Sequence, residues 1–386
     1  SVQATIVCIR LGANTEQRVF VHVGGAMKYK TNNLQVQRNL LIIDGSSLLV
    51  TNYYANLPFD IMKAKTPEDA EKAYSKILHT SDGKYTNALL GFMKTFLKIL
   101  AEQKPSHIAV VFDKTRDTFR RQISSDYKAN RKETPKPLKE QFIAVENLLE
   151  KSGIHIFLGD EYEADDYAGS LAEKFYKDIP VNVMTKDMDY LQLVSNEKNI
   201  RAWMMQTTDA KWQEMLEAYD VKEAYENMPN KVFVFSEDTI AEEYGVEHGS
   251  QIVEYKALVG DKSDNIQGVN GIGEKVAIPL IREYGTIENL YADIEETGSE
   301  IEDFWASQLG MRKGAYKKLT AEGAKESAMQ SKLLATIKKD IPLKISLDEL
   351  RTTLNEEALI SELRRYEMKS LCSEDDIAVY KEIAER

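Results

Sequence analysis

Acidic residues recur just after short apolar segments of this sequence, at positions where buried strands would end. In chain order they are Asp44, Asp113, Glu163, Asp165, Asp166, Asp187 and Asp189, and a later pair, Asp261 and Asp264, follows a helical segment. The last two stand in GDKSDN, where their i,i+3 spacing lets both side chains face the same way. An isolated Asp after a strand is commonly a helix N-cap or a turn residue. Repetition after several segments instead favours one shared site.

Such a cluster has a chemical consequence, because carboxylates within about 4–6 Å of one another raise each other's pKa and oppose folding unless cations neutralise them. Oxygen ligands without His or Cys suit Mg²⁺ or Mn²⁺ rather than zinc. Two such ions about 4 Å apart stabilise both the attacking and the leaving oxygen of phosphodiester hydrolysis. We therefore expect two Mg²⁺ or Mn²⁺ ions and phosphodiester chemistry.

The elements that must position these carboxylates alternate between strand and helix from Leu40 onward. Apolar, β-branched segments predict strands ending near Asp44, Asp113 and Asp187, and IHIFLG predicts another. Helical patterns occupy residues 88–100, 139–151, 164–176 and 249–259. This alternation predicts an α/β fold with a mostly parallel central sheet flanked by helices. Ligands bind at the carboxyl ends of strands in such sheets, which is where the acids stand.

A basic stretch follows the strand that ends at Asp113. Residues 114–139 contain nine basic and three acidic residues. The candidates for steering a phosphate backbone are Arg116, Arg120, Arg121, Lys128, Arg131 and Lys132, and Tyr127 is a candidate for stacking on a base. Alone, such a run indicates a solvated charged helix. Beside a carboxylate cluster it favours a nucleic-acid contact, although the whole chain has a formal net charge of −12.

A glycine-rich turn, GVNGIG, follows GDKSDN and precedes a helical segment. Backbone N–H groups in such a turn at a helix N-terminus form a nest that binds phosphate. A plain connection between helices would have the same appearance in isolation. The neighbouring Asp261 and Asp264 favour the phosphate-binding interpretation.

Composition narrows the class of protein. A chain of 386 residues is long enough for one large domain and a smaller one. Its two cysteines, Cys8 and Cys372, cannot build a disulfide framework or a zinc site, which favours a reducing cytoplasm. No apolar run approaches the roughly 18 residues of a membrane span, and the N-terminus lacks the features of a signal peptide. We expect a cytoplasmic protein that does not contact membrane.

Five motifs resemble, in order and spacing, the 5′-nuclease domain of bacterial DNA polymerase I and its flap endonuclease relatives. They are IIDGSS, VVFDKTRDTFRRQISSDYKANR, EYEADD, MTKDMDYLQL and GDKSDNIQGVNGIGEKVA. The resemblance extends over residues 39–371. It implies a PIN-like 5′-nuclease fold with a helical arch near residues 114–139 and a C-terminal helix-hairpin-helix-type subdomain. Because the chain ends at Arg386, we expect a free-standing relative.

The resemblance also implies roles for individual residues. Asp44, Asp113, Glu163, Asp165 and Asp166 match the ligands of a first metal ion. Asp187, Asp189, Asp261 and Asp264 match those of a second. Lys128 and Arg131 match arch residues that contact the scissile phosphate. Gly271, Ile272 and Gly273, with Lys275 beside them, match a motif that grips the duplex backbone and can hold K⁺.

The implied enzyme is a Mg²⁺-dependent 5′-3′ exonuclease and flap endonuclease that hydrolyses DNA at single/double-strand junctions in replication or repair. Branched or 5′-flap DNA is the expected partner. Cleavage of RNA-primed strands is left open as a further activity, and a monomer is the favoured oligomeric state. The alternative is a noncatalytic branched-DNA-binding protein of the same fold. Such a protein would have lost carboxylates, so the presence of all nine acids counts against it. A single-strand ribonuclease would lack the basic stretch and the GVNGIG motif.

We predict four regions along the chain. Residues 1–38 form an extension whose alternating ATIVCIRL and RVFVHV indicate a hairpin, with no assigned function. Residues 39–235 form the nuclease core, 236–300 the helix-hairpin-helix-type region, and 301–386 a helical region that packs back on the core. Extra residues near 59–79, 202–231 and 301–319, relative to the polymerase domain, are interpreted as surface additions.

Overall fold

A mostly parallel sheet lies at the centre of the fold. The computed structural model describes residues 6–7, 20–23, 26–28, 38–225, 228–229 and 231–385. The strands are β1 Ile6–Val7, β2 Phe20–Val23, β3 Ala26–Lys28, β4 Leu40–Asp44, β5 His107–Val111, β6 Ile156–Phe157, β7 Val181–Thr185, β8 Ile200–Met205 and β9 Val232–Phe235. Six of these described strands form the central sheet in the order β6-β5-β4-β7-β8-β9, and β9 runs antiparallel to β8.

Helices cover both faces of this sheet and build a second unit after it. They are α1 Gly45–Ala55, α2 Phe59–Met62, α3 Pro67–Lys72, α4 Asn87–Lys98, α5 Phe119–Ile123, α6 Lys136–Lys151, α7 Ala164–Phe175, α8 Asp209–Ala218, α9 Glu237–Tyr244, α10 Gln251–Val259, α11 Glu274–Tyr284, α12 Ile287–Thr297, α13 Ile301–Gln308, α14 Ala315–Leu319, α15 Ala324–Ala335, α16 Glu356–Arg365 and α17 Glu374–Ala384. Short 3₁₀ helices lie at Tyr74–Lys76, Met188–Leu193, Lys222–Tyr225, Gly298–Glu300, Asp348–Leu350 and Lys369–Leu371, and α4 continues as a π-helical turn, Ile99–Gln103.

Strand β4 is central because its residues are apolar on both faces. All five residues of β4 and of β5 are buried. Leu41 and Ile43 belong to the core cluster that α1, α4 and α6 share, whereas Leu40 and Ile42 belong to the cluster of α7. This alternation is that of a strand covered on both sides, and it directs Asp44 to the exposed carboxyl edge.

The predicted α/β architecture is confirmed, and α4, α6, α7 and α10 occupy the predicted helical segments within a few residues. Strands β8 and β9 were not predicted. β9 pairs antiparallel with β8 from Ala202↔Phe235 to Met205↔Val232, so part of the segment 202–231 belongs to the sheet and is not a surface addition. IRAWMM lacks the alternation of a half-buried strand, which is why its sequence did not reveal it.

The arch segment, residues 114–139, differs from the predicted helical arch. It contains the five-residue α5, a series of turns, and the start of α6 after Pro135. The turns are bound to the loop after α10, because Lys128 N–H donates to the Asp264 carbonyl at 2.9 Å and Asn130 Nδ2 donates to the Lys262 carbonyl at 2.8 Å. The segment does not form one continuous helix, because these contacts hold the turns and because a residue before proline favours an extended backbone.

The helices from α9 to α15 form the second unit, with α10 packed against α11, α15 and the 3₁₀ helix Met188–Leu193. Trp305 and Leu319, from the region of the third predicted insertion, are buried in its core. Further on, Leu359 and Leu363 of α16 join the same cluster as Leu41 of β4, so this helix packs back on the sheet. None of the helices in the described ranges is long and apolar enough to span a membrane.

The described residues of the N-terminal extension contain the predicted hairpin pairing. β1 pairs antiparallel with β2, with Ile6 opposite Val21, and β2 pairs antiparallel with β3. The GANTE turn between β1 and β2, residues 12–16, lies outside the described residues.

Candidate active site

Asp44 connects two neighbouring strand ends. It is the last residue of β4 and the N-cap of α1, where its Oδ1 accepts from the Ser47 N–H at 2.9 Å. Its Oδ2 accepts from the Thr185 hydroxyl, at the end of β7, at 2.7 Å. The carboxylate is therefore held at the edge where β4 and β7 end, as the strand pattern predicted.

Asp113 connects the end of β5 with two helices. Its N–H donates to the Ser46 hydroxyl at 2.8 Å, and its Oδ1 accepts from the Ala164 N–H, at the start of α7, at 2.9 Å. Because Ser46 follows Asp44 by two residues, these bonds bring the ends of β4, β5 and the N-terminus of α7 together.

The N-terminus of α7 supplies three acids with different surroundings. Glu163 is the N-cap and accepts from the Thr118 hydroxyl at 3.0 Å and from the Lys128 ammonium. Asp166 forms the capping box with Glu163. Asp165 lies 4.0 Å from the Arg120 guanidinium, and its buried Oδ1 has no hydrogen-bond partner among the described residues.

Asp187 and Asp189 stand at the start of the 3₁₀ helix that follows β7. The Asp187 Oδ1 accepts from the Asp189 N–H at 2.9 Å, and the Asp187 N–H donates to the Thr185 hydroxyl at 3.0 Å. Asp189 is 7% exposed and pairs with the Lys256 ammonium. Thr185 therefore ties Asp187 to Asp44.

Asp261 and Asp264 occupy the loop after α10. Lys256 Nζ lies 2.6 Å from Asp261 Oδ2, so this lysine bridges Asp261 and Asp189. Asp264 is buried and accepts from Arg131 Nη2 at 2.6 Å, with Lys128 Nζ at 3.7 Å. The second unit thus contributes its acids to the same edge of the sheet.

Charge divides the acids into two groups. Burial raises the pKa of Asp44 to about 7, and repulsion from Asp113 adds to this effect. Desolvation by the surrounding protein likewise raises the pKa of Asp113, Asp165 and Asp187, although Asp113 and Asp187 keep part of their surface exposed to solvent. Apart from the 4.0 Å approach of Arg120 to Asp165, none of these four acids has an ion pair with a described residue. They form the un-neutralised group of the site.

The other acids are neutralised by the protein itself. Burial would raise the pKa of Glu163, but Lys128 and Arg120 hold it below its usual value. Against the same opposing effect of burial, Lys256 lowers the pKa of Asp261 to about 2. Arg131 pairs with Asp264. In the part of the chain that the structure describes, no three His, Cys, Asp or Glu side chains already surround a common point as metal ligands.

The un-neutralised group nevertheless fits a divalent cation. Its carboxylates approach closely enough for Asp113 and Asp187 to raise the pKa of Asp44. The unpaired, buried Oδ1 of Asp165 is an acceptor without a donor. A bound cation would remove both costs, because it stabilises the ionised form and supplies a partner for the oxygen.

Asp166 requires a correction, since it was predicted to bind the first metal ion. It is fully buried, and its two oxygens accept from the two terminal nitrogens of Arg120 at 2.7 Å each. They also accept from the Glu163 N–H at 3.0 Å and the Lys338 N–H at 2.8 Å. With both oxygens engaged in this way, we assign Asp166 to fixing the N-terminus of α7.

Arg120 and Tyr127 were predicted to contact nucleic acid, and this is wrong for both side chains. Arg120 is 1% exposed, and besides Asp166 it donates to the carbonyls of Leu334 and Thr336 at 3.0 and 2.9 Å. Tyr127 is 2% exposed, and its hydroxyl lies 3.3 Å from carboxylate oxygens of Glu163 and Asp264. Their partners are distant in sequence, so the basic stretch alone could not distinguish them from surface residues.

Except for Lys128, whose side chain is 16% exposed, the remaining basic residues of the arch segment stay near the surface. Arg116 donates to the carbonyls of Arg131, at 3.1 Å, and Lys132. Arg121 pairs with Asp117 at 2.9 Å. Lys128 adopts a left-handed backbone conformation with φ 53°, which turns its ammonium toward Glu163. Such a conformation is uncommon for a residue with a side chain and recurs at functional sites.

The glycine turn lies at the N-terminus of α11. Gly271 has φ 77°, a left-handed conformation, and Gly273 is the N-cap. Ile272 anchors the turn with a buried side chain and donates its N–H to the Val269 carbonyl at 3.0 Å. A shallow pocket of about 330 Å³ is lined by Gly273, Glu274, Lys275 and Val276.

Two lysines of this arrangement were not found from the sequence. Lys256 lies five residues before Asp261 in the otherwise mostly apolar QIVEYKALV helix, a signal that could have been used. Lys318 of α14 donates to the Gly271 carbonyl at 2.8 Å. Because Lys318 is 47 residues away from Gly271 and lies in a predicted insertion, no local pattern pointed to it.

A parallel sheet with converging acids at its carboxyl edge, next to basic side chains and a glycine turn, defines an α/β nuclease. Residues 39–228 match the family model of the 5′-3′ exonuclease, N-terminal resolvase-like domain, and residues 247–358 match that of the 5′-3′ exonuclease, C-terminal SAM fold. The chain belongs to the 5′-3′ exonuclease family.

Similar proteins include free-standing and polymerase-linked relatives. The 5′-3′ exonuclease of Aquifex aeolicus is 30% identical over 90% of this chain and 99% of its own length. That of Halalkalibacterium halodurans is 33% identical, over 84% and 93%. DNA polymerase I of Bacillus caldotenax is 34% identical over 82% of this chain, which spans only 30% of the polymerase.

Solved structures support the fold. The bacteriophage T5 5′-exonuclease with bound zinc has a TM-score of 0.51 at 19% identity, covering 90% of this chain and 99% of its own. The T5 flap endonuclease in a pseudo-enzyme-product complex with DNA and metal ions also has a TM-score of 0.51, at 20% identity, covering 90% and 100%.

Proposed function

We propose that this protein is a structure-specific 5′ nuclease that hydrolyses DNA phosphodiesters at single/double-strand junctions by two-metal-ion catalysis, in cytoplasmic replication or repair. The observation that carries the proposal is the un-neutralised group, Asp44, Asp113, Asp165 and Asp187, at one edge of the sheet. Gathering these acids costs free energy in the absence of a cation, and a structural role for them would not require it.

Mg²⁺ or Mn²⁺ is the proposed cofactor, held by two sets of acids. The residues proposed for the first ion are Asp44, Asp113, Glu163 and Asp165, and those for the second are Asp187, Asp189, Asp261 and Asp264. Bound there, the ions supply an activated water and stabilise the charge that develops on the phosphate. Lys256 pairs with Asp189 and Asp261, so we infer that it exchanges partners when the second ion binds.

Lys128 and Arg131 are the proposed contacts to the scissile phosphate. Both reach acids of the site from the arch segment, to Glu163 and Asp264. A phosphate next to those acids would lie within the reach of the same two cations. Their role would be to bind and orient the phosphate and to offset its developing charge.

Branched or 5′-flap DNA is the proposed substrate, with RNA-primed strands as a further possibility and a monomer as the active form. Arg116, Arg121 and Lys132 are the proposed arch contacts. Gly271, Gly273 and Lys275 are the proposed duplex contacts, through backbone N–H groups and one ammonium. The Lys318 ammonium already binds the Gly271 carbonyl, so we assign that carbonyl to Lys318 and not to K⁺.

A noncatalytic branched-DNA-binding protein is the second candidate, and one observation favours it. Lys128, Arg131 and Lys256 form ion pairs with Glu163, Asp264 and Asp189, which are acids of the site. A protein that needs no metal ion could keep such pairs permanently.

Product mapping separates the two candidates. Purified protein is incubated with 5′-labelled flap, nicked and single-stranded DNA, with Mg²⁺ or with chelator. We expect cleavage of the flap near its junction with Mg²⁺ only. Asp187→Asn should abolish cleavage and leave flap binding nearly unchanged, whereas Asp82→Asn, at an exposed site, should cut like the parent protein. Binding without cleavage by the parent would support the noncatalytic candidate.

A further inference from the structure

Tyr190 carries a buried hydroxyl that the proposed function does not use. It lies in the 3₁₀ helix Met188–Leu193, directly after Asp189, and is 2% exposed. Its ring packs in the core cluster that contains Ala164 and Ala168 of α7. Its hydroxyl has no hydrogen-bond partner among the described residues. A phenylalanine would make the same apolar contacts, so packing does not explain the oxygen.

The hydroxyl lies within the field of the un-neutralised acids. Burial raises the pKa of Tyr190 well above its usual value, and Asp44, Asp165, Asp113 and Asp187 all add to this effect. A phenol is an O–H donor, and a buried one without a partner can lower its free energy by donating to an acceptor. Tyr190 directly follows Asp189, and its 3₁₀ helix packs against α7, whose first turn contains Asp165. Tyr190 therefore lies beside the proposed metal ligands.

An acceptor without a donor lies in the first turn of α7, the helix that packs against the 3₁₀ helix of Tyr190. The Asp165 Oδ1 is buried and has no partner among the described residues, although Arg120 lies 4.0 Å away. An unpaired donor and an unpaired acceptor on two helices in contact each cost free energy, and such groups in a native protein require an explanation. A carboxylate that binds a metal ion is commonly oriented by a second residue that donates to it.

We propose that Tyr190 is a positioning residue of the metal site, whose hydroxyl donates to the Asp165 carboxylate when a divalent cation is bound and holds that ligand in its binding orientation. This inference rests on the proposed function, because it needs a cation at the un-neutralised acids. It assigns to Tyr190 a role in cation affinity and none in the folding of the metal-free protein.

A matched pair of variants tests it. Tyr291 also has a buried hydroxyl without a partner among the described residues, but it lies on α12 in the core of the second unit. Tyr190→Phe and Tyr291→Phe therefore remove the same group from equivalent burial, inside and outside the site. Thermal unfolding of both and of the parent is measured in chelator and across a titration with Mn²⁺, without DNA.

In chelator, both variants should unfold at or above the temperature of the parent, since each loses an unsatisfied buried hydroxyl. In the titration, the Mn²⁺ concentration at half-maximal stabilisation should rise roughly tenfold or more for Tyr190→Phe, the usual loss for a residue that orients a metal ligand. It should stay unchanged for Tyr291→Phe. Isothermal titration with Mn²⁺ provides the same comparison directly.

Two results would overturn the inference. If Tyr190→Phe lowers the unfolding temperature in chelator, the hydroxyl has a structural partner in the metal-free protein. If its Mn²⁺ midpoint equals that of the parent, the hydroxyl does not support the ligands. Neither result affects the proposed function, which fails only if the parent protein itself shows no Mn²⁺ stabilisation and no cleavage.

Discussion

Lys128 distinguishes two acids at the same sheet edge whose pKa values shift in opposite directions. Asp44 and Glu163 are both buried, at 4% and 5% exposure. Burial raises the pKa of Asp44 to about 7, whereas Lys128 and Arg120 overcome burial and keep the pKa of Glu163 low. The pKa values differ because Lys128 and Arg120 neutralise Glu163, whereas no cation among the described residues pairs with Asp44. Single substitutions of Asp44 and of Lys128 can therefore be tested separately.

Asp44→Asn should change how stability depends on pH in the metal-free protein. The pKa of Asp44 rises on folding from 3.8 to about 7, so the folded state binds the proton more tightly and loses stability as the pH rises through that window. Asn cannot ionise and still caps α1. The advantage of Asp44→Asn in unfolding free energy should develop between about pH 4 and pH 7 and reach roughly 4 kcal/mol above pH 7, at about 1.4 kcal/mol for each of the roughly three pKa units of the shift.

Urea unfolding of both proteins in chelator, at about pH 5 and about pH 8, measures this advantage. Saturating Mg²⁺ should reverse the order of stability at the higher pH, because only the ionised parent binds the cation fully. Parallel stability profiles of the two proteins in chelator would contradict the raised pKa of Asp44.

Lys128→Ala should lower the rate of cleavage with little change in overall DNA affinity. It removes a charge next to the proposed position of the reacting phosphate, and the loss of one such stabilising donor typically costs roughly 100-fold or more. Single-turnover cleavage of flap DNA measures the step directly. Lys139→Ala, at an exposed lysine of the same segment that is not among the proposed DNA contacts, serves as the control. An unchanged single-turnover rate for Lys128→Ala would refute its role.

At the scale of elements, α5 presents two consecutive arginines with opposite environments. Arg120 is buried in a two-bond pair with Asp166, which caps α7, while the Arg121 side chain is 33% exposed and pairs with the more exposed Asp117. Arg120 therefore binds the arch segment to α7, and Arg121 carries a positive charge that is partly exposed to solvent. The two functions of this helix are separable.

Arg120→Ala should destabilise the fold, since it leaves Asp166 buried without its cation, a change that typically costs about 3–5 kcal/mol. Arg121→Ala should change the unfolding free energy by less than about 1 kcal/mol. Flap binding, measured in the Asp187→Asn background to prevent cleavage, should weaken for Arg121→Ala. Equal stability of the two variants would contradict the structural role of Arg120.

Elements whose pattern is local could be predicted from the sequence. β4, β5 and β7 and the acids after them follow from apolar runs that end in Asp, and the structure brings these acids together. The burial of Arg120 could not be predicted, because its partners Asp166, Leu334 and Thr336 are 46, 214 and 216 residues away. The turns of the arch segment could not be predicted for the same reason, because they donate hydrogen bonds to the backbone carbonyls of Asp264 and Lys262 in the second unit.

At the scale of the whole molecule, the chain has a net charge of −12, yet its proposed DNA contacts are basic. Two exposed basic patches lie on different units. The arch patch comprises Arg116, Arg121 and Lys132, and the turn patch comprises Lys275, Lys317 and Lys318 around the glycine turn. A molecule that repels DNA overall must bind it through such local patches, so binding should weaken steeply with salt.

If both patches contact one DNA molecule, their contributions to this salt dependence should add. Each lost phosphate contact should reduce the slope of log affinity against log salt by about 0.9.

Two double variants, Arg121→Ala with Lys132→Ala and Lys317→Ala with Lys318→Ala, remove charge from one patch each, and Lys381→Ala on α17 is the control. Fluorescence anisotropy with flap DNA in the Asp187→Asn background gives the slopes. If one DNA molecule spans both units, the combined variant should lose the sum of both reductions. A combined loss no larger than that of one patch alone would mean that the patches do not engage the same DNA, which would contradict the proposed binding of one substrate by the arch segment and the glycine turn.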